Sequence, residues 1–379
     1  MINIFEPSFN NKELEAVENV FNSKWIGRGS KVKEFEKNFA THLGQDPKKL
    51  LSTTSCTEAI YLSTSIFNFT SQDEIIIPTI SFPSIGSAVI ESEANIVFCD
   101  VDKNSLNVNS EEIQKVITPN TKAIYITHYG GVPCDMDSIM KICVENNIYI
   151  IEDSACAISS TYKGKACGTL GDMGMWSFDA MKTLSTGDGG MIFFKENRKK
   201  IEAAESLYLG LPQKSTSGID SAVSSNENWW EFEMNRPGRR AIMNDISASI
   251  GLAQLEKLNQ FIKKREEIHF KYINSLQNIG DLILPTSPNF EYTSSYYFFW
   301  IQTRYRDDLA KFLYSKGIYS TFRYWPLHKI QMFSEFCKRR YDGANYASEN
   351  TLNIPIHQNL SSSDVDLIIK TIKSFFEKR

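Results

Sequence analysis

The chain has 379 residues, which at roughly 150 residues per domain points to two or three domains, and its 42% hydrophobic and 23% charged content is ordinary for a soluble globular protein. The net charge is −4 with both signs scattered, so no basic excess is available to neutralise the phosphates of a nucleic acid. No apolar run reaches the ~18 residues of a membrane span, and the N-terminus lacks the basic and apolar regions of a signal peptide.

Cysteine and histidine usage carries little functional signal. The seven cysteines form no CxxC pair, and the five histidines are dispersed. An odd cysteine count in a long chain without an export signal predicts free thiols and a cytoplasmic location. A metal site is not predicted, and a redox or metal protein built on these cysteines is disfavoured by their scatter.

The first half of the chain alternates two patterns. Apolar residues spaced by three and four predict helices at 12–23, 31–42 and 57–66. Short apolar runs at 74–77, 95–98, 122–126 and 148–151 predict strands, and helical stretches follow the first three at 84–90, 110–116 and 136–145. This alternation predicts a mostly parallel sheet flanked by helices, with ligands bound at the carboxyl ends of its strands.

The second half contains a loop, a long helix and a smaller region. Residues 211–228 are polar and serine-rich, which predicts a surface loop. A helical pattern follows from 244 to 272, with a predicted break near Asn259. A strand at 296–303 and helices at 306–316 and 363–378 then predict a smaller C-terminal α/β domain. We therefore predict a large domain over 1–245 and a second unit over 246–379.

The residues with the clearest chemical meaning lie between Glu152 and Phe194. Asp153 follows a predicted strand, and 29 residues later (182 − 153) Lys182 lies in a turn after the predicted strand 174–178. Glycines at 187, 189 and 190 then allow a tight turn and a close backbone approach to a ligand. Taken alone, a lysine in such a turn is most often a solvated surface residue, so the assignment depends on the ordered set.

Six ordered segments of this sequence resemble the DegT/DnrJ/EryC1/StrS family of sugar aminotransferases. They are SKWIGRGSKVKEFEKNFATHLG (23–44), DEIIIPTISFPS (73–84), ITHYGGVPCDMDSI (126–139), the stretch 152–194, SIGLAQLEKL (249–258) and GIYSTFRYWPLH (317–328). The resemblance implies the fold type I architecture of pyridoxal 5′-phosphate (PLP) enzymes, which is a mostly parallel central sheet flanked by helices plus a smaller C-terminal α/β domain.

The resemblance assigns the catalytic roles. Lys182 should form the Schiff base with the aldehyde carbon of PLP and later move protons at the substrate. This requires an amine with a lowered pKa, which a dry pocket beside a cationic Schiff base supplies. Asp153 should pair with the pyridine nitrogen and keep the ring protonated. Phe82 should lie against the ring face, although a lone phenylalanine is more often plain core packing.

The remaining cofactor residues include three departures from the family pattern. Cys56, Thr57 and Ser177 should hold the phosphate, since the exposed N–H groups of a helix start favour an anion, and Thr57 would otherwise be an ordinary helix cap. Cys56 stands where the family has glycine. Cys156 stands where a glutamine touches the ring hydroxyl, so that contact is missing or weaker. Arg240 falls near the slot of a neighbouring-subunit asparagine and would pair with the phosphate or be a surface charge.

A lysine at position 182 favours amino-group transfer, because relatives that carry histidine there remove a hydroxyl instead. The resemblance implies L-glutamate as donor and a keto sugar, usually nucleotide-linked, as acceptor, yielding an amino sugar for lipopolysaccharide or a related glycoside. His328 and Arg323 are candidate substrate residues, and His328 is equally well a core histidine. A nucleotide-free keto sugar acid, such as an 8-keto octulosonate, remains open as acceptor.

The same residues also bear on two other possible functions and on the oligomeric state. A PLP-dependent dehydratase is disfavoured by Lys182, and a cofactor-binding regulator lacks any helix-turn-helix pattern or basic arm. The family builds each active site from two chains, so a homodimer is predicted, with Trp229, Trp230 and Arg240 next to a loop suited to reaching the partner.

Overall fold

The computed structural model describes residues 1–211, 234 and 236–377. The predicted polar loop lies outside the described residues except for Leu211, and so do Trp229 and Trp230. None of the helices in the described ranges is both long enough and apolar enough to span a membrane.

A seven-stranded sheet forms the centre of the molecule. Its strands are β1 (Leu50–Thr53), β2 (Glu74–Pro78), β3 (Asn95–Cys99), β4 (Thr121–Thr127), β5 (Tyr149–Asp153), β8 (Met173–Ser177) and β9 (Gly190–Phe194), in the spatial order β1-β9-β8-β5-β4-β2-β3. The pairs from β3 across to β8 are parallel, and β9 pairs antiparallel with both of its neighbours. The predicted mostly parallel sheet is therefore confirmed, with β9 as the reversed strand.

Helices cover this sheet and pack through the apolar faces seen in the sequence. They are α1 (Asn11–Asn22), α2 (Ser30–His42), α3 (Cys56–Ile66), α4 (Ser84–Glu91), α5 (Ser110–Gln114), α6 (Met136–Glu145) and α7 (Asn197–Leu207). Local chemistry sets their starts: the Asn10 side chain caps α1 in a capping box with Glu13, and the Ser55 side chain caps α3 by accepting from the Glu58 N–H. The predicted helices of this half therefore form within a few residues of their expected bounds.

The longest helix, α8 (Asp245–Leu276), is continuous for 32 residues. The predicted break near Asn259 is wrong, because Asn259 lies on the exposed face, where it costs little helix propensity, and no proline or glycine follows it in the helix. The opposite face buries residues such as Phe261 and Tyr272. This face packs on α1 and α2 and runs on into the C-terminal region.

The C-terminal region has its own small sheet and core. A two-stranded antiparallel sheet, β11 (Phe299–Gln302) with β12 (Thr351–Ile354), packs with α9 (Arg306–Ser315), α10 (Asp342–Asn350) and α11 (Ser362–Phe376). The short strands β6 (Thr161–Tyr162), β7 (Lys165–Ala166) and β10 (Tyr292–Thr293) form a separate sheet that ties this region to the central one. The smaller α/β unit thus lies against the large sheet.

Candidate active site

Lys182 lies in a tight turn that follows β8. The turn is closed by hydrogen bonds from the backbone N–H of Lys182 to the Asp179 carbonyl (2.9 Å) and from the Thr186 N–H to the Phe178 carbonyl (2.9 Å). These bonds fix the backbone of a residue whose side chain is partly buried. Its Nζ lies 4.8 Å from the ring centroid of Tyr297 and, within the described part of the chain, donates no hydrogen bond.

Asp153 ends β5 beside β4 and β8, at the carboxyl edge of the parallel strands. Its carboxylate is 4% exposed and accepts a hydrogen bond from the Ala155 N–H at 3.0 Å. Burial raises the pKa of Asp153, while the Ala155 hydrogen bond and the charge of Lys182 act against that rise. The aspartate and the lysine, which are 29 residues apart in sequence, therefore interact electrostatically at one edge of the sheet.

The protein's own groups do not by themselves lower the pKa of the Lys182 amine. Burial lowers the pKa, but the acidic groups around it (Tyr297, Cys156, Tyr324 and Asp153) raise it, and the net direction is well above the usual lysine value. At neutral pH Asp153 is the natural anion among these groups. The protein's own residues therefore favour the ammonium form of Lys182, so a neutral amine needs a further positive charge beside it.

The start of α3 meets the β8–β9 edge of the sheet. Ser177 is paired with Gly190 across β8 and β9, and Thr53 flanks Gly190 on its other side. A side-chain Cβ at Gly190 would lie 2.8 Å from the backbone nitrogen of Cys56, which leaves room for no residue but glycine. Cys56, Thr57 and Ser177 are thus brought together at the positive end of an 11-residue helix.

Two buried cysteines lie in this region, and both are neutral thiols. Burial, followed by the charge of Asp153, raises the pKa of Cys56 well above its usual value. Burial raises the pKa of Cys156 to about 11, and the Tyr324 side chain hydrogen-bonds to it. Neither thiol therefore supplies a negative charge that would oppose an anionic ligand at neutral pH.

Phe82 is an exposed aromatic next to these residues. Its side chain is 45% exposed and meets the ring of Tyr324 edge-on at a centroid distance of 5.7 Å. Plain core packing would have buried it. The Phe82 ring therefore lies beside Tyr324 at the protein surface, where a bound molecule could contact it.

The structure places Arg323 near the lysine turn. Its guanidinium lies 5.3 Å from the Phe5 ring centroid, and Nη2 lies 3.9 Å from Sδ of Met181, the residue before Lys182. Among the described residues it forms no ion pair. Within the described ranges, Arg323 is therefore a positive charge without an acidic partner beside the turn.

His328 and Arg240 are not brought to the lysine. His328 is buried between Phe98 and Tyr341, and its Nε2 lies 3.3 Å from Oδ1 of Asn345, with its pKa lowered by burial. Arg240 is exposed and lies 5.9 Å from the Tyr208 ring centroid. Within one chain, neither side chain contacts Lys182 or Asp153.

Sequence reasoning missed three features of the site. Tyr297 and Tyr324 reach the lysine from the C-terminal region, and no local pattern marks them as site residues. Glu152, next to Asp153, is fully buried and its Oε2 lies 3.0 Å from His128 Nε2. The adjacent acidic pair Glu152–Asp153 was visible, and successive residues of a strand point to opposite faces of a sheet, but the sequence did not show the hydrogen-bond partners that hold Glu152 in the interior.

Comparison with known proteins identifies the family of the chain. Residues 7–373 match the DegT/DnrJ/EryC1/StrS aminotransferase family. The chain belongs to this family. A dTDP-4-dehydro-2,3,6-trideoxy-D-glucose 4-aminotransferase from Saccharopolyspora spinosa is 40% identical over 100% of this chain and 96% of its own length. A GDP-perosamine synthase from Escherichia coli O157:H7 is 30% identical over 100% of this chain and 99% of its own length.

A solved structure shares both sequence and fold with the chain. The aminotransferase TlmJ from Streptoalloteichus hindustanus superposes with a TM-score of 0.93 at 41% identity, covering 100% of this chain and 99% of that one. The fold type I architecture is thereby confirmed. The chain is a PLP-dependent sugar aminotransferase, as the family and its named members establish.

The residues at the sheet edge suit this cofactor. An amine, a buried carboxylate and the start of a helix meet there, and they match an aldehyde, a ring nitrogen and a phosphate in chemical type. Gly190 leaves the backbone of the helix start open to an anion. The protein's own groups therefore match the cofactor both in chemical type and in their position at the sheet edge.

Proposed function

We propose that this enzyme transfers the amino group of L-glutamate to a nucleotide-linked keto sugar, with Lys182 as the reacting amine. The observation that carries the proposal is the meeting of Lys182 and Asp153 at the carboxyl edge of the sheet. The nucleotide assignment is supported by the relatives named above, since one is named for a dTDP-linked sugar and the other for a GDP-linked one.

Bound PLP supplies an electron-accepting ring that stabilises negative charge at the carbon losing its proton. In the proposal, Asp153 holds the ring nitrogen in its protonated form, and its burial strengthens that ion pair. Cys56 and Thr57 present backbone N–H groups to the phosphate, and Ser177 adds a hydroxyl. Phe82 covers one ring face. Together these residues orient the reacting group toward Lys182.

Lys182 is then the group that moves the proton. In this scheme its Nζ, once free, takes a proton from the amino-donor carbon and returns one to the neighbouring position, with Asp153 unchanged in charge. The turn that carries Lys182 is held by backbone hydrogen bonds, so the amine swings on its own side chain while its Cα stays fixed. The same residue thereby serves both halves of a ping-pong cycle.

Arg323 is the residue we assign to an anionic group of the substrates. Its guanidinium is supported by Phe5 and Met181 and has no acidic partner among the described residues, so a carboxylate or diphosphate would gain a full charge-assisted contact. The same charge would suit a nucleotide-free keto sugar acid, which remains the alternative acceptor. His328 is packed between Phe98 and Tyr341 in its own chain, so we give it no substrate role in this scheme.

The working form we propose is a homodimer, with residues 1–245 as the cofactor-binding domain and 246–379 as the second unit. Large apolar side chains near the site are exposed in the single chain: Phe82 at 45%, Met181 at 41% and Trp325 at 53%. A second copy that covers them would remove apolar surface from water. Arg240 is exposed and would be free to reach the partner's phosphate site.

A panel of acceptors tests the proposed reaction. The PLP-loaded enzyme is first converted with L-glutamate and then mixed with dTDP-linked and GDP-linked 4-keto hexoses or with a nucleotide-free keto sugar acid, and the amino sugar is measured by mass spectrometry. We expect product from at least one nucleotide-linked sugar. Product from the free acid alone would replace the nucleotide assignment, and a deoxygenated product without nitrogen would replace transamination by dehydration.

Sedimentation at working concentration tests the assembly. We expect a dimer whose activity per chain falls on dilution below its dissociation constant. A monomer that keeps full activity would refute the shared site.

A further inference from the structure

Tyr297 touches the reactive lysine in two ways. Lys182 Nζ lies 4.8 Å from the centre of its ring, and its hydroxyl donates a hydrogen bond to the Met181 carbonyl at 3.4 Å. Met181 is the residue before Lys182, so one side chain contacts both the amine and the backbone that carries it. Tyr297 itself is 3% exposed, which places this contact out of bulk water.

The Tyr297 ring and the backbone that carries it are held from several sides. Phe5 stacks on it at a centroid distance of 5.4 Å and an interplanar angle of 19°. Its backbone N–H donates to the Gly130 carbonyl at 2.9 Å, and the buried Arg265 donates to its carbonyl at 3.4 Å. Because these contacts come from three parts of the chain, the ring stays in place when Lys182 moves.

A fixed aromatic face beside an amine distinguishes the two protonation states of that amine. A cation within about 6 Å of a ring centroid is attracted by the negative face of the ring, and desolvation strengthens this attraction. A neutral amine gains almost nothing from the same position. The ring therefore favours the ammonium form and gives the side chain a resting place whenever Nζ is not covalently linked.

We propose that Tyr297 is a positioning residue that holds the free Lys182 ammonium on its ring face between proton transfers, while its hydroxyl fixes the turn at Met181. The proposal rests on the proposed role of Lys182 as the reacting amine. It places the proton that Lys182 carries on the Tyr297 side of the site rather than in open solvent. The face of the ring, rather than the hydroxyl, is the part that holds the charge.

Fluorinated phenylalanines at position 297 test the proposal with little change in shape. Fluorine withdraws electron density from the ring face and weakens its attraction for a cation. The full-length enzyme is loaded with pyridoxamine 5′-phosphate, which leaves Lys182 unlinked, and acetylation of Lys182 is followed against pH by mass spectrometry. Exposed Lys12 serves as the internal reference. The series runs from Tyr297→Phe to the trifluorinated residue.

We expect the labelling midpoint of Lys182 to be unchanged in Tyr297→Phe and to fall by about one pH unit with three fluorines, which is a tenfold faster reaction at a fixed pH below the midpoint. In Tyr297→Leu, which lacks an aromatic ring, the labelling midpoint of Lys182 should fall by the same amount. A midpoint that stays constant along the fluorinated series, or that falls equally in Tyr297→Phe, overturns the proposal. The measurement does not involve an acceptor sugar, so failure of the substrate panel leaves its outcome unaffected.

Discussion

Replacing Glu152 by glutamine should destabilise the protein strongly, because its carboxylate accepts four hydrogen bonds in a fully buried place. One oxygen accepts from the Leu170 N–H (2.7 Å) and the Gly171 N–H (2.6 Å), and the other accepts from the Gly168 N–H (2.7 Å) and His128 (3.0 Å). Glutamine keeps one oxygen and turns an NH2 group toward the second pair of donors. Two charge-assisted hydrogen bonds at about 1.5–3 kcal/mol each are then lost.

Histidine tautomerism does not relieve this loss. The Cys134 N–H lies 3.2 Å from Nδ1 of His128, so Nδ1 accepts that hydrogen bond. Nε2 therefore carries the ring proton and donates a hydrogen bond to Glu152. If that proton moved to Nδ1, two hydrogen-bond donors, Nδ1–H and the Cys134 N–H, would face each other. Glu152→Gln should therefore lower the free energy of unfolding by about 3–6 kcal/mol.

Urea unfolding at fixed protein concentration measures this difference. Glu256→Gln is the matched control, because the Glu256 side chain is 66% exposed in an ion pair with Lys12 and should change stability by less than about 1 kcal/mol. A Glu152→Gln variant that unfolds within 1 kcal/mol of the wild type would refute the reasoning. Because the network joins β4, β5 and the segment before β8, we also expect weaker PLP binding.

Three further changes follow from the same contacts. Gly190→Ala should weaken PLP binding at least tenfold in a spectroscopic titration, because its Cβ would lie 2.8 Å from the Cys56 nitrogen, whereas Gly27→Ala meets nothing closer than 3.6 Å and should bind normally. Phe82→Ala should weaken PLP binding roughly 2–10-fold, the worth of an aromatic contact of about 0.5–1.5 kcal/mol; unchanged binding would remove Phe82 from the site. Burial lowers the pKa of His357 to about 4, so the unfolded chain takes up a proton near pH 6.5 that the folded chain refuses, and stability is lost as the pH falls from 6.5 toward 4. The loss at pH 5 is about 2 kcal/mol, and His357→Gln should abolish that part of the slope in urea midpoints measured at pH 7 and pH 5.

The sequence predicted the parts of the fold that depend on local periodicity. The helix at 136–145 was predicted to the residue, and the strand near Asp153 within one or two. Strands β1 (LLST) and β12 (TLNI) were missed, because each is only four residues long and half polar, too short for an apolar pattern to mark it as a strand. The break at Asn259 failed because tertiary packing of α8 outweighs one weak helix former.

The site likewise contains residues that local sequence patterns indicate and residues that only tertiary packing brings in. Lys182 and Asp153 were predicted as site residues from their order along the chain, and the structure places one just after β8 and the other at the end of β5. Tyr297 and Tyr324 come from more than 100 positions later in the chain and meet Lys182 only through packing of the C-terminal region. The pKa direction of Lys182 also depends on these partners, so the lowered pKa expected beside a cationic Schiff base is not supplied by the protein's own groups alone.

The proposed bond between Lys182 Nζ and the aldehyde carbon of PLP is tested most directly by trapping it. The purified enzyme is incubated with PLP, reduced with borohydride, digested and examined by mass spectrometry, with Lys182→Ala treated in parallel. The account predicts one phosphopyridoxyl group, on the peptide that contains Lys182, and none in the variant. A label on another lysine, or an equal label in Lys182→Ala, would contradict it.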